Sequence, residues 1–288
     1  MQGNQDLIYR INAHHKNMSK GQKLIAEYIL NNYDKAAFMT ASKLGRKVGV
    51  SESTVVRFAN ALNYDGYPSL QKALQELVRN KLTTVQRIEM TSELDQSKVL
   101  KNVLKADMNN IQMTIDEIDN GVFEEVVEKI LMADNIYVLG LRSAAPLAEF
   151  MGYYLSFMFD NVRIVTSGVN DIFEQLMHIH KGDILIGISF PRYATRTIEA
   201  MKFARDKGTE IVAITDTYLS PLTAYADHTL LARSDMASFV DSLVAPLSLI
   251  NALIVAIGLR HKEDISSNFC RLEDIWSKYN VYVKKEGE

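Results

Sequence analysis

Three short stretches of this chain carry side chains whose type and spacing suit chemistry with anions. The first runs Ser51-Glu52-Ser53-Thr54-Val55-Val56-Arg57-Phe58-Ala59-Asn60. Wound into a helix at about 100° per residue, it gathers Val55, Phe58, Ala59 and Leu62 in one sector. Ser53, Arg57 and Asn60 then fall on the opposite face, with Thr54 beside them. A guanidinium fork, a carboxamide and small hydroxyls on one face match base edges and phosphates in a DNA major groove. The plainer reading of the same residues is the solvated face of a three-helix bundle. Lys20, Lys23, Lys43, Arg46 and Lys47 lie nearby in sequence and could hold phosphates.

The other two stretches are Gly140-Leu141-Arg142-Ser143-Ala144-Ala145 and Ser189-Phe190-Pro191-Arg192-Tyr193-Ala194-Thr195-Arg196-Thr197. Each follows a short apolar run and leads into an amphipathic stretch. The free N–H groups of a helix start, with hydroxyls beside them, form a ready anion site, and arginine adds a fork that fits an oxyanion. Gly140, Arg142, Ser143, Ser189, Arg192, Thr195 and Thr197 are the candidate ligand residues. Ordinary strand-to-helix turns also use Gly, Ser and Thr as caps; the anion reading gains weight because two loops share the pattern, each with an arginine. A classical dinucleotide site is excluded, since Gly140-x-Arg142 lacks the second and third glycines of that fingerprint.

These residues need elements to position them. The first 80 residues lack strand-like alternation and show apolar residues at helical spacing, starting with Leu7, Ile8 and Ile11. Ser19 precedes a helix with Leu24, Ile25, Tyr28 and Ile29. Thr40 is placed to cap a short helix that Gly49 stops, and Ser51 to cap the next, which runs to about Leu62. Tyr64 to Pro68 is a break, and a further amphipathic helix starts at Ser69. We assign residues 1–80 to an all-helical DNA-binding domain and the polar stretch 81–98 to a linker. Residues 99–288 form an α/β domain. Helices are expected over Val99–Ile118 and Val122–Met132. Apolar runs at Asn135–Leu139, Val162–Val165, Asp183–Ile188, Glu210–Ile214 and His228–Leu231 alternate with helical stretches, including Pro146–Phe159 and Thr195–Lys207. That alternation predicts a five-stranded parallel sheet covered on both faces, with the two candidate loops at the carboxyl ends of strands.

Charge divides the chain the same way. Residues 1–80 carry 11 Lys and Arg against 6 Asp and Glu, and the remainder carries 21 against 29. A basic end on an acidic body is what phosphate-backbone binding by one domain requires. The single cysteine, Cys270, excludes an internal disulfide framework, and residues 1–10 lack an apolar signal core, so the expected compartment is the cytoplasm. Ser242–Leu259 runs 18 residues without a charge. Its Ser, Pro and Asn content and the absence of flanking basic clusters favour a helix buried in a core or at a subunit interface over a membrane span. His178 and His180 lack ligand-spaced partners, so no metal and no cofactor is expected. Asp216 and Asp227 sit near strand ends and could contact ligand or cap turns. His14 and His15 read as a solvated helix end, and Trp276 as an anchor for a final helix near Leu272–Tyr279.

The segment Ser51, Thr54-Val55-Val56-Arg57-Phe58 and Leu62-Asn63-Tyr64-Asp65-Gly66-Tyr67 resembles the helix-turn-helix domain of the RpiR family of sugar-responsive transcription regulators. Asn63 stands where that family usually has Gly, and Asn is the next best residue for a left-handed helix end. The two later loops resemble those of the sugar isomerase (SIS) domain, which binds phosphorylated sugars. Its usual second loop is Ser-x-Ser-Gly-x-Thr-x-x-Thr. Ser189 and Thr197 match, whereas Pro191, Arg192 and Ala194 replace the second Ser, the Gly and the first Thr. Thr195 is then a helix cap or a substitute hydroxyl, and the two arginines point to a ligand more anionic than a simple sugar phosphate. The resemblance implies a regulator rather than an enzyme. Its partners would be a double-stranded DNA operator, a phosphorylated sugar effector and further copies of the chain in a homodimer or homotetramer. The DNA-contacting set is Lys20, Lys23, Lys43, Ser51, Ser53, Thr54, Arg57 and Asn60. The alternative is a phosphosugar isomerase or related SIS enzyme, which needs a positioned base such as Glu149 or Glu174.

Overall fold

The computed structural model describes residues 7–15, 18–81, 96–236, 240–260 and 262–283. Most of the expected linker, 82–95, lies outside the described residues. The chain forms two compact units, Met1–Gln96 and Ser97–Glu288.

The first unit is all-helical among its described residues: α1 (Leu7–His14), α2 (Lys20–Asn31), α3 (Tyr33–Ala36), α4 (Ala41–Val48), α5 (Glu52–Ala61) and α6 (Gly66–Lys81). Local chemistry sets three starts. Ser19 and Gln22 form a reciprocal capping box on α2, Thr40 accepts from the Lys43 N–H on α4, and Ser51 accepts from the Thr54 N–H on α5. Gly49 ends α4 at φ 79°, and Asn63 follows α5 at φ 62°, the left-handed positions expected of those residues. Two elements differ from expectation. The one-turn helix α3 carries too few residues for a periodic signal. Helix α6 begins at Gly66 rather than Ser69, because Pro68 falls in its first turn, where a missing N–H costs nothing. Ile11, Ile25, Ile29, Leu44, Val55, Phe58, Leu62, Leu70 and Leu74 make one buried core. Helix α6 also fastens the loop before α4. The Tyr67 hydroxyl and Gln71 Nε2 donate to the Met39 carbonyl at 2.6 and 3.0 Å, and Gln75 Nε2 donates to the Ala37 carbonyl at 3.2 Å.

The second unit opens with α7 (Val99–Glu117) and α8 (Asn120–Met132). It continues β1 (Ile136–Gly140), α9 (Ala145–Leu155), β2 (Val162–Val165), α10 (Ile172–Gln175), β3 (Ile184–Ile188), α11 (Thr195–Asp206), β4 (Glu210–Thr215), β5 (His228–Leu231), α12 (Val244–Arg260) and α13 (Lys262–Tyr279). The five strands are parallel in the order β2-β1-β3-β4-β5. Side chains alternate across the sheet. Ile136, Val138, Ile184, Ile186, Val212 and Ile214 pack with residues of α8, α9 and α12 on one face. Tyr137, Leu139, Leu185, Ile211 and Ala213 pack with Ala200, Met201 and Ala204 of α11 on the other. This is the α/β half expected from the sequence. Helix α13 starts ten residues earlier than expected, since its first half shows no clear apolar stripe. Trp276 does anchor it, edge-on to Phe157 at 6.0 Å and to Tyr282 at 5.2 Å between centroids.

The uncharged segment forms α12, which buries Ala245, Pro246, Leu249, Ile250, Leu253 and Ile257. Among the described residues no helix is long and apolar enough to cross a membrane. A polar stripe on α7 clasps the chain after β5. Asp107 accepts from the Ser242 hydroxyl at 2.6 Å. The fully buried Asn110 exchanges two hydrogen bonds with the Asp235 backbone, Thr114 accepts from the Arg233 N–H at 2.9 Å, and Glu117 pairs with the Arg233 guanidinium.

Candidate functional site

The candidate DNA-reading face is built on α5. Val55, Phe58 and Ala59 are fully buried beneath it, while Ser51, Ser53, Arg57 and Asn60 are exposed and Thr54 is half-buried. Ser51 Oγ lies 2.9 Å from Ser53 Oγ and 2.8 Å from Thr54 Oγ1. Arg57 folds back along the helix and donates from Nε to the Ser53 carbonyl at 3.3 Å. The hydroxyls and the guanidinium therefore form one cluster at the N-terminal half of the helix. Asn60 is partly committed elsewhere: its Oδ1 accepts from the Gly66 N–H at 3.1 Å and so holds the start of α6. Lys20, Lys23 and Lys43, with Arg46 and Lys47, are all exposed.

Two glycines that sequence reasoning passed over set this geometry. A Cβ on Gly45 would lie 2.8 Å from the Val50 carbonyl oxygen, so only glycine lets α4 approach the turn into α5. A Cβ on Gly21 would lie 3.2 Å from Thr54 Cγ2, which brings the first turn of α2, flanked by Lys20 and Lys23, against α5. The spacing of Gly45 four residues before Gly49 was the available signal. Arg10 was also missed. It donates to the Leu62 carbonyl at 3.1 Å and lies over the Tyr64 ring at 4.9 Å, closing the end of α5.

In the second unit the strand order places the two candidate loops together. Chain order proceeds from β1 to β2 on one side of the sheet and from β3 to β4 on the other, so β1 and β3 flank the point where the order reverses. Gly140 is paired with Ile188, the last residue of β3, so the two loops leave neighbouring strand ends. Open α/β sheets bind ligands in the crevice at such a switch point.

Both helices that start there lack a side-chain cap. The N-cap residues of α9 and α11 are Ala144 and Ala194. Thr195 is the first residue of α11 rather than its cap. Thr197, in the same turn, is fully buried and its hydroxyl has no hydrogen-bond partner among the described residues; an orphaned buried hydroxyl costs about 1–3 kcal/mol. Ser189 is buried and accepts from the Ala194 N–H at 3.3 Å. Arg142 and Ser143 are exposed on a single 3-10 turn, Arg142–Ala144, that precedes α9. Arg142 and Arg192 have φ of 57° and 64°, a left-handed conformation that costs a non-glycine residue roughly 1–2 kcal/mol. Gly140 has a packing role: a Cβ there would lie 2.6 Å from the Ala144 carbonyl oxygen and 2.7 Å from Ala148 Cβ.

The remaining polar residues near these loops are engaged within the framework. Tyr193, which was not anticipated, donates to the buried Asp216 at 2.8 Å and ties the β3 loop to the end of β4. Asp227 accepts from the Ile211 N–H at 2.9 Å and is a turn residue. Asp171 caps α10, is paired with Arg196, and donates from its backbone N–H to Glu174 Oε2 at 3.0 Å. Glu174 is thus engaged in a helix cap, and Glu149 is exposed on α9; neither is placed as a base. His180 bonds the Lys181 carbonyl at 2.9 Å and lies 3.7 Å from Asp183.

A family pattern for the rpiR-family helix-turn-helix domain matches residues 5–81, and one for the SIS domain matches residues 129–256. The chain thus combines an rpiR-family helix-turn-helix domain with a SIS domain. An HTH-type transcriptional regulator of Haemophilus influenzae is 26% identical over 270 residues, covering 91% of this chain and 93% of that protein. The sugar isomerase domain of an RpiR transcription factor from Sphaerobacter thermophilus is 26% identical with a TM-score of 0.59, covering 62% of this chain and 99% of its own. The Vibrio vulnificus NanR protein, complexed with ManNAc-6P, is 19% identical with a TM-score of 0.60, covering 96% and 100%. With these two domains and relatives that are HTH-type transcriptional regulators, the chain is an HTH–SIS transcriptional regulator.

Proposed function

We propose that this regulator binds a double-stranded DNA operator of a sugar-metabolism gene in the cytoplasm, and that a phosphorylated sugar at the β1–β3 switch point modulates that binding. The observation that carries the sensing reading is the orphaned Thr197 hydroxyl in the first turn of α11, a helix start without a side-chain cap. Unsatisfied N–H groups and a buried hydroxyl are what a phosphate oxygen repairs. Ser143, Ser189 and Thr197 hold the phosphate, with Arg142 and Arg192 supplying positive charge. The Vibrio vulnificus protein, of like fold, is complexed with a phosphorylated amino sugar, which supports the ligand class. On DNA, Ser51, Ser53, Thr54, Arg57 and Asn60 face the major groove while Lys20, Lys23 and Lys43 hold phosphates.

The regulator works as a homo-oligomer, since paired recognition helices match a two-fold operator. Leu100, Leu104, Met108 and Ile115 are exposed along α7, with Ile111 half-buried among them. Their spacing of three and four is that of a helix-pairing seam. Beside it, an apolar cleft of about 370 Å³ opens between α7, α8 and α12. A second copy is the occupant that fits both. Residues 97–288 alone should sediment as a dimer or larger; a clean monomer at micromolar concentration refutes this assembly.

The sensing reading is tested by screening sugar phosphates against thermal unfolding. A ligand at 100 times its Kd adds about 2.7 kcal/mol of stability. Ser143→Ala should lose that response and keep operator binding without ligand. Turnover of a sugar phosphate, with no gel shift on the upstream DNA, would favour the isomerase reading instead.

A further inference from the structure

We propose that α5 reads acceptor edges in the major groove, and that guanine, through N7 and O6, is the operator base that Arg57 selects. The inference rests on the reading of α5 as the recognition helix and deepens it.

The exposed face of α5 engages its own acceptors and leaves N–H donors for a partner. Arg57 donates from Nε to the Ser53 carbonyl at 3.3 Å and from Nη2 to Thr54 Oγ1 at 3.5 Å. Those two bonds brace one edge of the guanidinium against the helix. Of its five N–H groups, three remain at the far end, on Nη1 and Nη2. A fork braced before DNA arrives loses less freedom on making a bidentate contact. Asn60 gives its amide oxygen to the Gly66 N–H at 3.1 Å. A backbone N–H only donates, so the atom it meets is the oxygen and not the nitrogen. The two Nδ2 protons are left for the groove. Ser51 Oγ accepts from the Thr54 N–H at 3.2 Å and lies 2.9 Å from Ser53 Oγ. Hydroxyls donate or accept and discriminate little between bases. Glu52, the one acid of α5, lies about 140° around the helix from Arg57. In the major groove guanine alone offers two adjacent acceptors. Adenine pairs its N7 with an N6 amine that needs an acceptor on the protein, and cytosine offers only an N4 amine. A donor face of this kind therefore fits guanine and is indifferent to the adenine amine.

The test is selection of duplexes from a randomised library by the full chain, followed by gel shifts at fixed salt with modified bases. The recovered operator should hold an invariant guanine. 7-Deazaguanine there, which replaces N7 by C–H, should weaken binding by the parent protein about 5- to 150-fold. Arg57→Ala, with an unchanged melting curve, should already bind more weakly by a similar factor and should not respond to the 7-deaza base. Arg57→Lys, which keeps the charge and loses the fork, should bind and accept other bases at that position. Purine in place of any conserved adenine, which removes the N6 amine, should leave binding by the parent unchanged. An invariant adenine whose N6 amine is required, or a 7-deaza change that costs the parent nothing or costs Arg57→Ala as much as the parent, overturns the inference and leaves α5 in the groove. If no duplex is enriched, or if Arg57→Ala binds every selected duplex as the parent does, the recognition reading falls and takes the inference with it.

Discussion

The helices proposed to face DNA and the helices proposed to face the effector complete their N-termini in opposite ways. Helices α2, α4 and α5 are capped by Ser19, Thr40 and Ser51. Helices α9 and α11 begin at Ala144 and Ala194 with no side-chain cap. On the proposed reading the first three would contact DNA along a face, which leaves their ends to be completed internally. On the proposed reading the other two would meet an anion end-on, where an internal cap would occupy the site. A cap contributes about 0.5–2 kcal/mol. Both switch-point helices go without that contribution.

The largest effect that could break this contrast is at Thr197. Thr197→Val replaces an orphaned hydroxyl with a methyl of similar shape. Ligand affinity should fall about 10- to 150-fold while thermal stability holds or rises. Calorimetry paired with thermal melts reads both, and undiminished affinity would mean that α11 does not meet the ligand. Next is Arg57→Ala, which should weaken operator binding by roughly 1–3 kcal/mol and relax specificity at one position, with the melting curve unchanged. Gel shifts at fixed salt on operator variants decide it; unaltered affinity removes α5 from the groove.

Caps themselves give effects near 1 kcal/mol, of opposite sign in the two regions. Ser51→Ala should destabilise the helix-turn-helix domain by about 0.5–2 kcal/mol, whereas Ala194→Asp should stabilise α11 by a similar amount and repel the effector. Denaturant titrations of both variants, with ligand binding for the second, sharpen the comparison. If Ala194→Asp leaves ligand binding intact, the open terminus has no role. The smallest effect is at Tyr67. Burial pushes its hydroxyl up to about 12, and Gln71 also satisfies the Met39 carbonyl it donates to. Tyr67→Phe should therefore cost only about 0.5–1 kcal/mol at neutral pH. Because the folded value lies above the ordinary value of 10, the neutral hydroxyl favours the folded state. That contribution is complete below pH 10 and is lost as pH rises toward 12. The variant should lack this part of the alkaline decline, and an identical decline in both proteins would assign it to other groups.

Patterns that repeat along the chain were legible without coordinates. The caps Ser19, Thr40 and Ser51, the left-handed Gly49 and Asn63, and the apolar face of α5 follow from local sterics and helical period. The five strands likewise follow from continuous apolar runs, since both faces of a parallel sheet are buried. The boundaries that slipped were those of α3, α6 and α13, where an element is too short, tolerates a proline in its first turn, or lacks a wide apolar stripe.

The site was legible in composition and not in arrangement. Residue types near 140–145 and 189–197 suit an anion, though ordinary strand-to-helix turns use Gly, Ser and Thr as well. Whether the two loops adjoin depends on strand order, and strand order is a property of long-range pairing that no local pattern encodes. Only the tertiary structure puts β1 beside β3, assigns Gly140 to packing against Ala144 and Ala148, moves Thr195 off the cap position, and draws Asn60 partly into holding α6. Those outcomes are set by which backbone groups finally lie within bonding distance, and residues far apart in the chain decide that.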